Sequence, residues 1–85
     1  LESEVYPNPA IDMVNIKFNI TKAEKYRIDI IDLSGKNVAA LFSGAIITGP
    51  NMLSFSTASL PAGEYSFCIS NMHSEKVFSE KFIKQ

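Results

Sequence analysis

The chain has 85 residues, 46% hydrophobic and 20% charged, with eight Lys+Arg against nine Asp+Glu. That length allows one domain with a single core and, on the usual per-residue scale, a stability of about 4 to 13 kcal/mol. The basic residues are scattered rather than clustered, which excludes a nucleic-acid partner; no apolar run approaches the roughly 20 residues of a membrane-spanning helix, and the single cysteine, Cys68, excludes an internal disulfide.

The stretch VYPNPA (Val5 to Ala10) opens the pattern with two prolines. Proline fixes its own φ, lacks an N–H donor and pushes the preceding residue toward an extended shape, so the segment is confined to a sheet edge or a lead-in. Residues 1–12 are therefore expected to be a linker end and Pro-rich lead-in, with a β-sandwich over 13–85. Leu1 to Ala10 has none of the basic, apolar and small-residue regions of a signal peptide. From its polar, methionine-free start a module of a larger protein is expected.

Val14, Ile16, Phe18 and Ile20 alternate with polar residues, the clearest strand in the chain. After a polar turn, Thr21 to Lys25, the alternation resumes at Tyr26, Ile28 and Ile30. DLSGKNV (Asp32 to Val38) then reads as a hairpin in which Gly35 takes φ > 0 and Asp32 or Ser34 accepts a backbone N–H. Val38, Leu41 and Phe42 continue the returning strand. SGAIITGPN (Ser43 to Asn51) predicts a short edge strand between turns, and Leu53 and Phe55 alternate with serines.

LPAGEY (Leu60 to Tyr65) turns the chain into a strand carrying Tyr65, Phe67 and Ile69. A glycine followed two residues later by a tyrosine at a strand start is the arrangement of a tyrosine corner, in which the hydroxyl bonds back to the corner backbone. The polar SNMHSE (Ser70 to Glu75) is a further turn. In the last strand parity leaves two choices of inner face, Phe78/Phe82 or Val77/Ile83. No apolar residues recur at helical spacing over three turns, so the chain is read as all-β, an Ig-like antiparallel sandwich of about seven strands, with a small barrel as the alternative. The predicted core is Val14, Ile16, Phe18, Ile20, Ile28, Ile30, Leu53, Phe55, Phe67 and Ile69.

Candidates for chemistry are few. Cys68 lies on the opposite parity from Phe67 and Ile69, and His73 falls in a turn, so they read as a second-face cysteine and a solvated histidine rather than a catalytic pair. SGK at Ser34 to Lys36 lacks the preceding glycine and following Ser/Thr of a phosphate loop. Asp29 and Asp32 lack the further oxygen ligands of a calcium loop and are expected to be exposed carboxylates. Asn19 starts a glycosylation sequon, relevant only to a eukaryotic secretory route. No catalytic residue, metal ligand or cofactor is assigned.

Taken in order, VYPNPA, DLSGKNV, LPAGEY and a Lys-containing last strand resemble the C-terminal sorting domain of type IX secretion substrates, the Por secretion system sorting domain family, over essentially the whole chain. Ile31 stands before DLSGK where a tyrosine is common in that family. The resemblance implies a non-enzymatic address label at the end of a larger exported passenger. The label would be carried through the periplasm, recognised by the outer-membrane translocon and removed by a sortase at the cell surface. Carried over motif by motif, Gly35 and Lys36 match the turn element, Gly63 and Tyr65 the Gly-x-Tyr element, and Lys81, Phe82, Ile83, Lys84 and Gln85 the terminal recognition segment. The rival reading is an Ig-like accessory module that binds carbohydrate or a cell-surface protein, for which Tyr6 and Tyr26 are the tyrosines left over from the corner and no tryptophan is present.

Overall fold

The computed structural model describes residues 3–73 and 75–85. Leu1, Glu2 and Ser74 lie outside the described residues, and with them the first two positions of the expected lead-in and one position of the Ser70–Glu75 turn. Seven strands follow one another: β1 (Ser3–Tyr6), β2 (Met13–Ile20), β3 (Glu24–Asp32), β4 (Asn37–Ile46), β5 (Gly49–Ser56), β6 (Gly63–Asn71) and β7 (Lys76–Lys84). They form two antiparallel sheets in the orders β1-β2-β5 and β4-β3-β6-β7, packed as a sandwich. Relabelled as Ig strands, these are A-B-E against C′-C-F-G.

The period-two pattern explains which faces meet. In β2, Val14, Ile16, Phe18 and Ile20 are buried and alternate with more exposed residues; across the sandwich they face Tyr26, Ile28, Ile30, Phe67, Ile69 and Phe82. The predicted core residues on β2, β3 and β6 are all buried, whereas Leu53 and Phe55 on β5 are half-buried and pack against the core from its rim. Both stand on an edge strand, with sheet on only one side.

In β7 the choice falls to the phenylalanines. Phe82 is 1% exposed and Phe78 half-buried, while Val77 and Ile83 are 37% and 44% exposed. The rings decide it: Phe78 meets Phe18 at 5.7 Å between centroids, and Phe82 lies between Phe67 at 5.0 Å and Tyr65 at 5.7 Å. Phe67 in turn meets Phe55 at 5.6 Å, so a line of four rings runs from the start of β6 across the core to β5.

Several expectations are corrected. Ser43 to Asn51 is no separate strand: Ser43–Ile46 extends β4, and Gly49–Asn51 begins β5, with Gly49 at φ +108° marking the change of sheet. A seventh strand comes instead from the lead-in, where Ser3–Tyr6 pairs with Asn15–Phe18 as an edge and ends at Pro7. The Thr21–Lys25 turn is shorter than expected, since Glu24 and Lys25 already pair with Ile46 and Ala45. Asp29 is buried rather than exposed. It lies on the outer face of the four-stranded sheet opposite Cys68, which is buried as well, and Arg27 Nε donates to Asp29 Oδ2 at 3.0 Å.

Register sorts the loops into two ends. Asp32 pairs with Tyr65 and Gly63 with Lys84 at one pole, and Tyr26 pairs with Asn71 toward the other, along a molecule 34 Å in its longest dimension. The first pole gathers the Pro7–Asp12 lead-in, the β3–β4 hairpin, the Thr57–Ala62 loop and the end of β7. The chain enters β1 from the opposite direction, since Ser3 pairs with Phe18 and Tyr6 with Asn15.

Candidate functional site

The motifs singled out in the sequence are far apart along the chain yet meet at that first pole. In the β3–β4 hairpin, Gly35 at φ +87° takes the left-handed conformation that favours glycine, and its N–H donates to Asp32 O at 3.0 Å. Of the two expected acceptors, Asp32 is the one used. Its Oδ1 receives the N–H of Ser34 at 2.9 Å, the Ser34 hydroxyl at 2.6 Å and the N–H of Lys36 at 3.0 Å. These bonds, that of the Ser34 side chain foremost, hold the Asp32 carboxyl below the ordinary carboxylate range. The turn presents Leu33, 76% exposed, and the Lys36 side chain to solvent.

Tyr65 forms the expected corner. Its hydroxyl donates to Pro61 O at 2.6 Å while its ring stacks on Phe82. Gly63, at φ +158° and close to extended, opens β6 opposite Lys84. A second tyrosine does similar work at the other pole: Tyr26 is buried and its hydroxyl donates to Lys22 O at 2.5 Å. Burial, with Glu24 nearby, pushes the Tyr26 hydroxyl above its usual pKa. Tyr26 is thereby withdrawn from any glycan platform, leaving Tyr6, whose hydroxyl donates to Met52 Sδ at 3.3 Å and whose ring lies 5.8 Å from Lys17 Nζ.

The terminal segment divides by parity. Lys81, Ile83 and Gln85 point outward, whereas Phe82 and Lys84 point inward. Lys84 is only 9% exposed, and its ammonium donates to Leu60 O at 3.2 Å, so this lysine ties the end of β7 to the corner loop. Its aliphatic stem is buried while its charged tip meets a carbonyl. Lys81 and Ile83 lie beside Glu64, their neighbour on β6, and a shallow cavity of about 200 Å³ connects Lys81 and Glu64 to Asp32 and Leu33 of the hairpin. A second, of about 150 Å³, connects Lys81, Ile83 and Glu64 to Asn8.

The lead-in clamps this arrangement, a role sequence periodicity did not expose. Ala10, fully buried, donates its N–H to Ile83 O at 2.7 Å and accepts from Gln85 N–H at 2.8 Å; Asn8 Oδ1 accepts from Ile83 N–H at 2.9 Å. On the other side Thr57, also fully buried, donates its N–H to Asp12 O at 2.8 Å and its hydroxyl to Ile11 O at 3.2 Å. The peptide bonds before Pro7 and Pro9 are both cis. The only sequence signal for the clamp was the pair of prolines, which marked an edge without naming its partner.

Among the described residues the geometry at this pole offers a shaped surface. Cys68 and His73 are not brought together: Cys68 is buried on the outer face of β6, and burial pushes its thiol up, while His73 is exposed in the β6–β7 turn. Among the described residues no group of three or more His, Cys, Asp or Glu is arranged to hold a metal ion, and no helix is long and apolar enough to cross a membrane.

The fold therefore defines an Ig-like β-sandwich whose terminal strand, hairpin and corner are fastened into one pole. The model of the secretion system C-terminal sorting domain family matches residues 4–85, and the chain belongs to that family. Its members are C-terminal sorting domains of type IX secretion substrates, which are exported to the cell surface or the extracellular space; the family is typically non-enzymatic. No curated protein matches the chain significantly.

Proposed function

We propose that this chain is the sorting signal that directs a covalently joined N-terminal passenger through the periplasm and across the outer membrane by the type IX translocon, and that a cell-surface sortase then removes it. The family match over residues 4–85 carries this reading. The pole surface is the part the machinery reads. Its exposed members are Leu33, Lys36, Glu64, Lys81, Ile83 and Gln85, which combine apolar contacts with charges of both signs. Gly35, Gly63, Tyr65, Phe82 and Lys84 support them: Gly35 shapes the hairpin, Gly63 opens β6 opposite Lys84, and the other three, all nearly buried, fix the terminal strand.

The passenger enters from the opposite direction through β1. A signal displayed away from its cargo stays accessible whatever the cargo's shape. The test fuses residues 1–85 to a signal-bearing reporter in a bacterium with a type IX system, beside a reporter without the domain and a translocon-deficient strain. Surface or medium delivery requiring both the domain and the translocon supports the proposal. A folded fusion retained in the periplasm overturns it. Within a delivered fusion, Lys81→Glu with Ile83→Ser should stop delivery without unfolding the domain.

A further inference from the structure

The four edges of this sandwich are not alike. β1 is four residues long and ends at Pro7; β4 breaks register with β3 twice, between Ile28/Asp29 and between Ile30/Ile31. β7 carries Lys76, Lys81 and Lys84 and is capped at its end by Asn8 and Ala10. Shortness, proline, bulges, charge and a covering segment are the devices by which edge strands avoid pairing with other chains. β5 stands apart. It keeps unbroken register with β2 over its whole length, from Gly49 opposite Ile20 to Ser56 opposite Met13, and its one proline, Pro50, is at the start.

Charge sharpens the contrast. No Asp, Glu, Lys or Arg occurs anywhere from Asn37 to Ala62, so β4, β5, the link between them and the loop after β5 are uncharged. On this side the two sheets part. Leu41, Phe42, Leu53 and Phe55 are half-buried, and an opening of about 220 Å³ lined by Phe18, Phe42, Ile46, Ile47 and Leu53 lies between β4 and β5.

We propose that the Asn51–Ser56 edge of β5 is a self-association site, pairing antiparallel with the same strand of a second copy of this chain. A two-fold axis would then join two three-stranded sheets into one of six strands, with each Leu53 and Phe55 gaining cover from its counterpart. The neutrality of the edge selects a copy as occupant. Heterologous partners are oriented and discriminated by complementary charge, which the β5 strand itself lacks, whereas a neutral strand meets itself with no like-charge repulsion.

The test is sedimentation equilibrium of the 85-residue chain up to roughly 1 mM, the weakest dimer worth resolving. Three proteins are compared: wild type, Ser54→Lys at an exposed β5 position, and Val77→Lys on the β7 edge. The expected result is a wild-type dimer that Val77→Lys leaves intact and whose dissociation constant Ser54→Lys raises at least about tenfold, because the axis brings the two new charges together. A wild-type monomer throughout, or a dimer sensitive to Val77→Lys but not Ser54→Lys, overturns the proposal. Should Ser54→Lys fail to fold, amide exchange of the wild type decides. Concentration-dependent protection of Asn51–Ser56 supports β5 pairing; its absence overturns it.

Discussion

Ala10 and Ile83 share a 2.7 Å backbone hydrogen bond that fastens the lead-in to the last strand, and Asn8 reinforces it by accepting from Ile83 N–H at 2.9 Å. The prolines that break the N-terminal edge thus sit in a segment that closes the C-terminal one. Replacing Asn8 by Ala leaves Ile83 N–H without its protein acceptor at an exposed site. The expected loss is about 0.5–1.5 kcal/mol in urea unfolding, with faster amide exchange concentrated at Ile83 and Gln85. Uniformly faster exchange would show that the clamp is not a local device.

The two buried tyrosines give a cleaner energetic test. Tyr65→Phe and Tyr26→Phe each keep the ring and delete one hydroxyl bonded to a carbonyl, that of Pro61 or Lys22. Each should cost about 1 kcal/mol, or a lowering of Tm by roughly 4–8 °C for a domain of this size. Since they lie at opposite poles, the double variant should lose the sum to within about 0.5 kcal/mol. A large deviation would mean that the poles are coupled through the core.

Much of this was legible in the sequence because one physical rule governed it. Where only one parity was apolar, as in Val14–Ile20, the alternation gave both strand and inner face; where a turn needed special chemistry, Gly35 and Tyr65 announced it. Legibility failed where two rules competed. β7 is apolar on both parities, and only ring packing against Phe18, Phe67 and Tyr65 selects Phe78 and Phe82. Lysines are ordinarily surface charges, yet a long stem with a nearby carbonyl lets Lys84 point inward. Thr57 and Ala10 carry no periodic signal, since their burial follows from contacts between segments far apart in the chain.

Neighbouring residues in β7 should separate fold from recognition. Phe82→Ala removes the ring between Tyr65 and Phe67 and should cost about 3–5 kcal/mol, enough to threaten folding of so small a domain. Ile83→Ser alters a side chain that is 44% exposed and should cost less than about 1 kcal/mol. If both variants destabilise equally in chemical denaturation, the inward and outward assignment of this strand is wrong.

The hairpin predicts behaviour in acid. The Asp32 carboxyl titrates below the ordinary carboxylate range because Ser34 and Lys36 donate to its charged form. A folded pKa lower than the unfolded one means that the unfolded chain binds the proton more readily. Its stabilising contribution is therefore present above an unfolded value of about 3.9 and is lost as pH falls through the folded value. Asp32→Asn should flatten this part of the acid limb of stability against pH; an unchanged slope between the two proteins would remove Asp32 as its source.

In alkali the sign reverses, and Cys68 reports it. Burial raises the thiol pKa, partly opposed by Lys76 and aided by Asp29, so the folded chain holds the thiol proton to higher pH than the unfolded chain does. That contribution is present below the unfolded value of about 8.5 and is lost as pH rises through the folded one. Tyr26, also raised, follows the same sign above about 10. Cys68→Ala should make stability less sensitive to pH in the lower of these windows, leaving the Tyr26 window unchanged. Reaction of the native thiol with an aromatic disulfide reagent should be slow for two separable reasons, the scarcity of thiolate and the shielding of the sulfur on the outer face of β6. Raising the pH relieves the first, whereas only opening of the sheet relieves the second. Rates that rise with pH in step with ionisation of the native thiol would show that the outer face already admits the reagent; rates that stay slow once the native thiol has ionised, and rise only when denaturant is added, would assign the protection to packing.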